Sequence, residues 1–167
     1  MSTGSALDVP DDPAGSSVRA CERTSPPEIL GLLTSGRGVF TAREAELAGV
    51  SADRVERMAR ASLLERVCKG AYAATDQLAA AGPWAAHAVR SRGFVMSRTK
   101  HTLAAGWSAV ALRELPCLGA PPELPTAVDP SRTGSGPQRT RYGIVHRRDL
   151  PCEHRGSYAG CPIVRTA

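Results

Sequence analysis

Residues 38–74 read GVFTAREAELAGVSADRVERMARASLLERVCKGAYAA, and the order of local signals in this stretch decides the fold. Thr41 with Glu44 three residues on makes a capping box, in which the two side chains satisfy amides left orphaned at a helix start. Ala42, Ala45, Leu47 and Ala48 follow as a short apolar stripe, which Gly49 ends by accepting a positive φ. Ser51 opens a second helix. Along it Val55, Met58 and Ala59 recur at helical spacing, while Arg54, Arg57 and Arg60 step by three on another face. Leu63 to Val67 and Gly70 to Ala73 then read as two short strands around a Lys69–Gly70 turn. Upstream, Pro27 suits the first turn of a helix running to Thr34, with Ile29, Leu30, Leu32 and Leu33 toward a core. That order predicts a winged helix-turn-helix over residues 26–75, preceded by a polar, disordered tail at 1–25.

Downstream the pattern becomes a looser mixture. Leu78 to Leu115 is helical in rhythm, with breaks expected at Gly82–Pro83 and Arg92–Gly93, and with Ser97 capping a helix from Arg98 to Ala105. Pro116 to Pro130 is proline-rich and extended, with a strand at Thr126–Val128. A Gly/Ser/Pro loop leads into the strand Arg141–Arg148, and Ile163–Val164 is a last apolar strand. The expected fold class is α+β: an N-terminal winged helix-turn-helix followed by a small mixed helix/strand domain over residues 76–167.

The 167 residues can hold one ordinary domain or two small ones. Aromatics are only 4% of the chain, so a core must be built from Leu, Val, Ala and Ile with little bulk per residue. A net charge of +5 favours polyanionic partners. It is unevenly spread: residues 1–23 hold four acids against two bases, whereas residues 132–155 hold six bases against two acids. No run approaches the ~20 apolar residues of a membrane span, and the acidic N-terminus lacks the basic start and apolar core of a signal peptide. A cytoplasmic protein with no membrane partner is expected. Cys21, Cys68, Cys117, Cys152 and Cys161 are odd in number and scattered, which favours reduced thiols over a disulfide framework.

Several blocks also resemble a known family. Gly38-Val-Phe-Thr-Ala-Arg-Glu-Ala, Ala48-Gly-Val-Ser and Leu64-Glu-Arg-Val-Cys-Lys-Gly-Ala-Tyr are similar to the N-terminal winged-helix domain of AbiEi-type antitoxins, of type IV toxin–antitoxin systems. Cys68 stands where that family more usually has a basic residue, and a partly exposed Cys68 between basic neighbours is expected. Ser97-x-x-x-His101-x-x-Ala104-Ala105-x-Trp107, Leu115-Pro-Cys-Leu-Gly, Tyr142-Gly-Ile-Val-His-Arg-Arg-Asp-Leu-Pro and Gly160-Cys-Pro-Ile-Val-Arg-Thr-Ala resemble later family blocks. Longer relatives continue beyond the last of these with a further helix and often another domain. The resemblance therefore implies that the second domain is incomplete at its C-terminus.

Catalysis has little support in the sequence. No Ser, Cys or Thr sits in a nucleophile motif, the acids are dispersed beside arginines, and no P-loop or Rossmann glycine pattern occurs. Cys152, His154 and Cys161, with His146 upstream, match no standard zinc spacing and read as ordinary loop and strand residues. His101 is expected on a helix facing a partner element. No enzyme activity, cofactor or metal is expected.

The functional expectation is a DNA-binding antitoxin and transcriptional regulator that represses its operon by operator occupancy. Its partners would be double-stranded DNA and, by the resemblance, a cognate nucleotidyltransferase-like toxin. Arg54 and Arg57 are the candidates for base or phosphate contact, joined by Ser51 and by Arg60, Arg66 and Lys69 on phosphates. Other readings stay open. Asp53 and Glu56 share the arginine helix and could pair with its cations. The chain could neutralise a toxin without touching DNA, or be the non-catalytic front half of a truncated nuclease-type protein.

Overall fold

The structure is a computed structural model that describes residues 26–165 apart from residues 132, 133 and 135; the expected tail at 1–25 and part of the 131–137 loop lie outside the described residues. It is a mixed helix and strand fold, as the α+β expectation requires.

The first half contains helix α1 (Pro27–Ser35), strand β1 (Val39–Thr41), helices α2 (Ala42–Leu47) and α3 (Ala52–Arg60), and strands β2 (Leu64–Cys68) and β3 (Ala71–Ala74). Each helix starts where its local chemistry dictates. Pro26 and Pro27 sit at the head of α1, where a missing N–H costs nothing. The Thr41 hydroxyl accepts from the Glu44 amide at 3.2 Å and the Glu44 carboxylate accepts from the Thr41 amide at 2.7 Å, completing the capping box. Ser51 Oγ accepts from the Arg54 amide. The three strands form an antiparallel sheet in the order β1-β3-β2. The sequence pattern predicts no strand at Val39–Thr41, so β1 adds to the two strands expected here.

The second half contains α4 (Thr75–Ala80), α5 (Pro83–Met96), β4 (Leu103–Ala104), α6 (Trp107–Leu112), β5 (Thr126–Asp129), β6 (Gln138–Thr140), β7 (Gly143–Arg147), a 3₁₀ turn at Cys152–His154, β8 (Arg155–Tyr158) and β9 (Cys161–Val164). Its six strands form one mixed sheet, β6-β7-β5-β4-β9-β8, with β4–β9 and β5–β7 parallel. Ile163 lies buried within that sheet's core, paired opposite Ala104.

Two expectations here are corrected. The helix is not broken at Arg92–Gly93 but runs through to Met96. A Cβ on Gly93 would stand 2.7 Å from Val67 Cγ2 and 3.1 Å from Val39 Cγ2, so this glycine is where α5 meets the three-stranded sheet. Nor does a helix span Arg98–Ala105: Leu103–Ala104 is a strand between β5 and β9, and His101 is an exposed turn residue. Three consecutive apolar residues satisfy either period, and sheet pairing decided between them.

The buried side chains fall into two clusters that share the small sheet. Phe40, Leu64, Tyr72 and Ala74 pack with Ile29, Leu33, Val55 and Met58 of the helices before them. Val39, Val67, Ala71 and Ala73 belong instead to the cluster built on Phe94 and Val95 of α5 and on Ala104, Ala127, Val145 and Ile163 of the large sheet. Across α5, α6 and β5 runs a buried polar chain. Ser91 Oγ–H donates to Ser108 Oγ at 2.9 Å, the Thr126 amide donates to the same oxygen at 2.8 Å, and His87 Nε2 lies 3.3 Å from it.

Candidate nucleic-acid interface

Helix α3 is held by one face. Val55 and Met58 are buried against α1 and the small sheet, while Arg54, Arg57 and Arg60 project into solvent. Spacing of three puts these arginines along one side of nine helical residues, with Asp53 in the first turn and two of the arginines in the last, the sense the helix dipole favours. The stripe expected on α2 is narrower than its sequence suggested: Ala45 is buried, but Leu47 is 79% exposed.

No carboxylate of their own helix forms an ion pair with these arginines among the described residues. Glu56 turns the other way, toward the β2–β3 hairpin, where its carboxylate pairs with the Arg66 guanidinium and accepts from the Tyr72 hydroxyl at 3.1 Å. Arg66 Nη2 also lies 3.1 Å from that hydroxyl, and its guanidinium sits 5.5 Å over the Tyr72 ring. The Tyr72 hydroxyl first, and the Glu56 carboxylate after it, hold Arg66 above its ordinary pKa. Among the described residues no ion pair engages Arg54, Arg57 or Arg60.

The structure therefore splits the six sequence candidates. Ser51 is the cap of α3; Arg54, Arg57 and Arg60 form an exposed cationic row; Lys69 is exposed at the hairpin turn; Arg66 is tied to Glu56 and Tyr72. The clamp partners Glu56 and Tyr72 were missed as site residues, because neither is basic and their meeting depends on how the hairpin folds back.

Cys68 needs a correction: it is buried, at 4% exposure, not partly exposed among the basic residues. The pairing of β2 with β3 shifts between Arg66 and Cys68, so the strand alternation fails and Val67 and Cys68 both turn inward. The Ser97 hydroxyl donates to Cys68 Sγ at 3.2 Å.

Elsewhere Cys152 is exposed in the 3₁₀ turn and Cys161 is buried in β9. Among the described residues no three His, Cys, Asp or Glu side chains converge as metal ligands would, and no helix is long and apolar enough to cross a membrane.

No curated protein matches the chain. The family match stops at residue 75, so the likeness of the later blocks rests on their sequence alone. Over residues 28–75, a span that contains α2, α3, the hairpin and every residue singled out for DNA contact, the chain matches the family described as transcriptional regulator, AbiEi antitoxin.

Proposed function

We propose that the chain is a DNA-binding antitoxin regulator, with a winged helix-turn-helix over residues 26–75. Helix α3 enters the major groove and the β2–β3 hairpin, as the wing, lies against the backbone or minor groove. The observation that carries this reading is the diversion of Glu56 to Arg66 and Tyr72, which leaves a three-arginine row without carboxylate partners among the described residues. Exposed arginines at i, i+3 and i+6 match the phosphate and guanine-edge chemistry of duplex DNA, and their membership of a regulator-family segment raises that reading above a merely solvated face. Lys69 reaches a phosphate from the hairpin turn. Ser51, whose oxygen already accepts from the Arg54 amide, keeps its hydroxyl proton for a phosphate oxygen.

Repression follows from operator occupancy, without catalysis or cofactor, in the cytoplasm. Residues 76–167 form the second domain, and a nucleotidyltransferase-like toxin is the protein partner that the family resemblance implies. The decisive experiment is an electrophoretic shift on the protein's own upstream DNA with excess unrelated duplex as competitor. A retained, competitor-resistant shift supports the reading; complete loss to the competitor overturns specific operator binding.

A further inference from the structure

Arg92, on α5, is 4% exposed. Its Nη1–H donates to the Ala159 carbonyl at 2.8 Å, and among the described residues no carboxylate pairs with it. Among the described side chains only Thr75 Oγ1 and Arg147 Nε are buried without a partner, so the remaining donors of Arg92 are not sealed in a dry interior and stay open to the space beside them. Burial pushes its pKa down, and the neighbouring Arg37 charge acts in the same direction while Glu114 opposes it.

Beside Arg92 lies a cavity of about 380 Å³, within the range of small-molecule sites. Trp84, Val89 and Leu112 give it an apolar wall, and Arg37, Arg92 and Glu114 supply its charges, a net excess of one positive. Arg37 Nη1 meets Glu114 Oε1 at 3.3 Å, with both side chains open to solvent. A smaller hollow on another side of Arg92 is lined by Glu44, whose carboxylate is already taken by the amide and hydroxyl of Thr41.

Four described residues other than glycine have positive φ, and three of them flank Arg92: Arg37 at 52°, Glu114 at 57° and Ala159 at 48°. None is Asn or Asp, the types that tolerate this region best. Arg37 and Glu114 stand one residue past the caps of α1 and α6, where a left-handed residue commonly ends a helix, and Ala159 with Gly160 makes the β8–β9 turn.

The geometry points to a binding site for a small organic carboxylate, its two oxygens accepting from Arg92 and Arg37 and its apolar body lying against Trp84, Val89 and Leu112. Arg37 exchanges Glu114 for the ligand, and the planar guanidinium fork suits a carboxylate better than a spherical anion. The proposal does not rest on α3 reading DNA.

Trp84 on the cavity wall supplies the readout. The intact chain is titrated with benzoate at constant ionic strength, with neutral benzamide as the matched control, following tryptophan emission; Trp107→Phe isolates the Trp84 signal. Saturable binding with Kd on the order of 1 mM is expected for benzoate, with benzamide weaker by at least about tenfold. Arg92→Lys and, separately, the exposed Arg37→Gln should each weaken benzoate by about tenfold, the second with no loss of fold by circular dichroism. Absence of saturation by about 50 mM benzoate, equal affinity for benzamide, or full affinity in a folded Arg37→Gln variant would each overturn the site.

Discussion

Glu56 and Arg66 lie ten residues apart, one on α3 and the other on β2, and their ion pair closes around the Tyr72 hydroxyl to fix the hairpin to the helix before it. The pair is half exposed, so it contributes about 1 kcal/mol or less to stability. Its larger consequence is electrostatic. Glu56→Gln should free Arg66 for a phosphate and remove one negative charge from the arginine helix. Tighter DNA binding is expected, with log K against log salt steeper by about 0.9 for the added contact. Fluorescence anisotropy across a salt series measures it; an unchanged slope means that the hairpin does not approach the backbone.

Replacing Arg54 and Arg57 together by Ala should abolish the specific shift on operator DNA and leave the thermal midpoint nearly unchanged. Both side chains are exposed on a helix anchored by Val55 and Met58. A double variant that shifts operator as well as the unmodified chain removes α3 from the interface, and one that fails to fold gives these arginines a structural task instead.

Much of this arrangement was legible because its signals are local. The Thr41–Glu44 box, the Ser51 cap, the Gly49 stop and the Lys69–Gly70 turn each involve residues within four positions, and each stands where its chemistry puts it. What escaped was set at long range. Strand β1 is three residues long and exists through pairing with β3, thirty or more positions away. Gly93 reads as a helix breaker by propensity, yet α5 keeps it because only a missing Cβ lets the helix reach Val67 and Val39. On α3, the exposed arginine row followed from spacing alone. The destination of Glu56 and the inward turn of Cys68 did not, since one depends on hairpin docking and the other on a register shift.

Cys68→Arg, which the sequence alone would favour as restoring a basic residue to the hairpin, should instead destabilise the protein. The guanidinium would have to enter the space between β2 and Ser97 or force the hairpin open. A loss of about 3 kcal/mol or more is expected in chemical denaturation. Cys68→Ala should cost less, because it removes a small buried group without adding a charge.

His87 gives the fold a pH dependence. Burial first, with the Arg90 charge second, holds its imidazole below the ordinary histidine pKa of 6.5. Ser108 Oγ accepts from Ser91 and from the Thr126 amide, so its own proton is directed to His87 Nε2, which keeps the ring neutral. The unfolded chain therefore takes up a proton at higher pH than the folded one. Stability should fall as pH drops below about 6.5 and level off only once the folded imidazole protonates. Urea midpoints at several pH values between about 7.5 and 5.5 test this, with His87→Gln flattening the dependence. Equal slopes in the two proteins would assign the effect to other groups.

The small sheet is covered on both faces, which bears on how far residues 26–75 can stand alone. Phe40, Leu64 and Tyr72 are sealed by α1 to α3, but Val39, Val67, Ala71 and Ala73 are sealed by the second half, with α5 seated on Gly93. A fragment ending at residue 75 exposes that second face. It should bind a hydrophobic dye and self-associate in light scattering, whereas the full chain unfolds cooperatively as a unit. Gly93→Val in the full chain probes the same contact from the other side: the added side chain collides with Val67 and Val39, and a loss of about 1–3 kcal/mol is expected. A monomeric fragment with a sharp unfolding transition, together with a Gly93→Val variant of unchanged stability, would show that the small sheet is complete without α5.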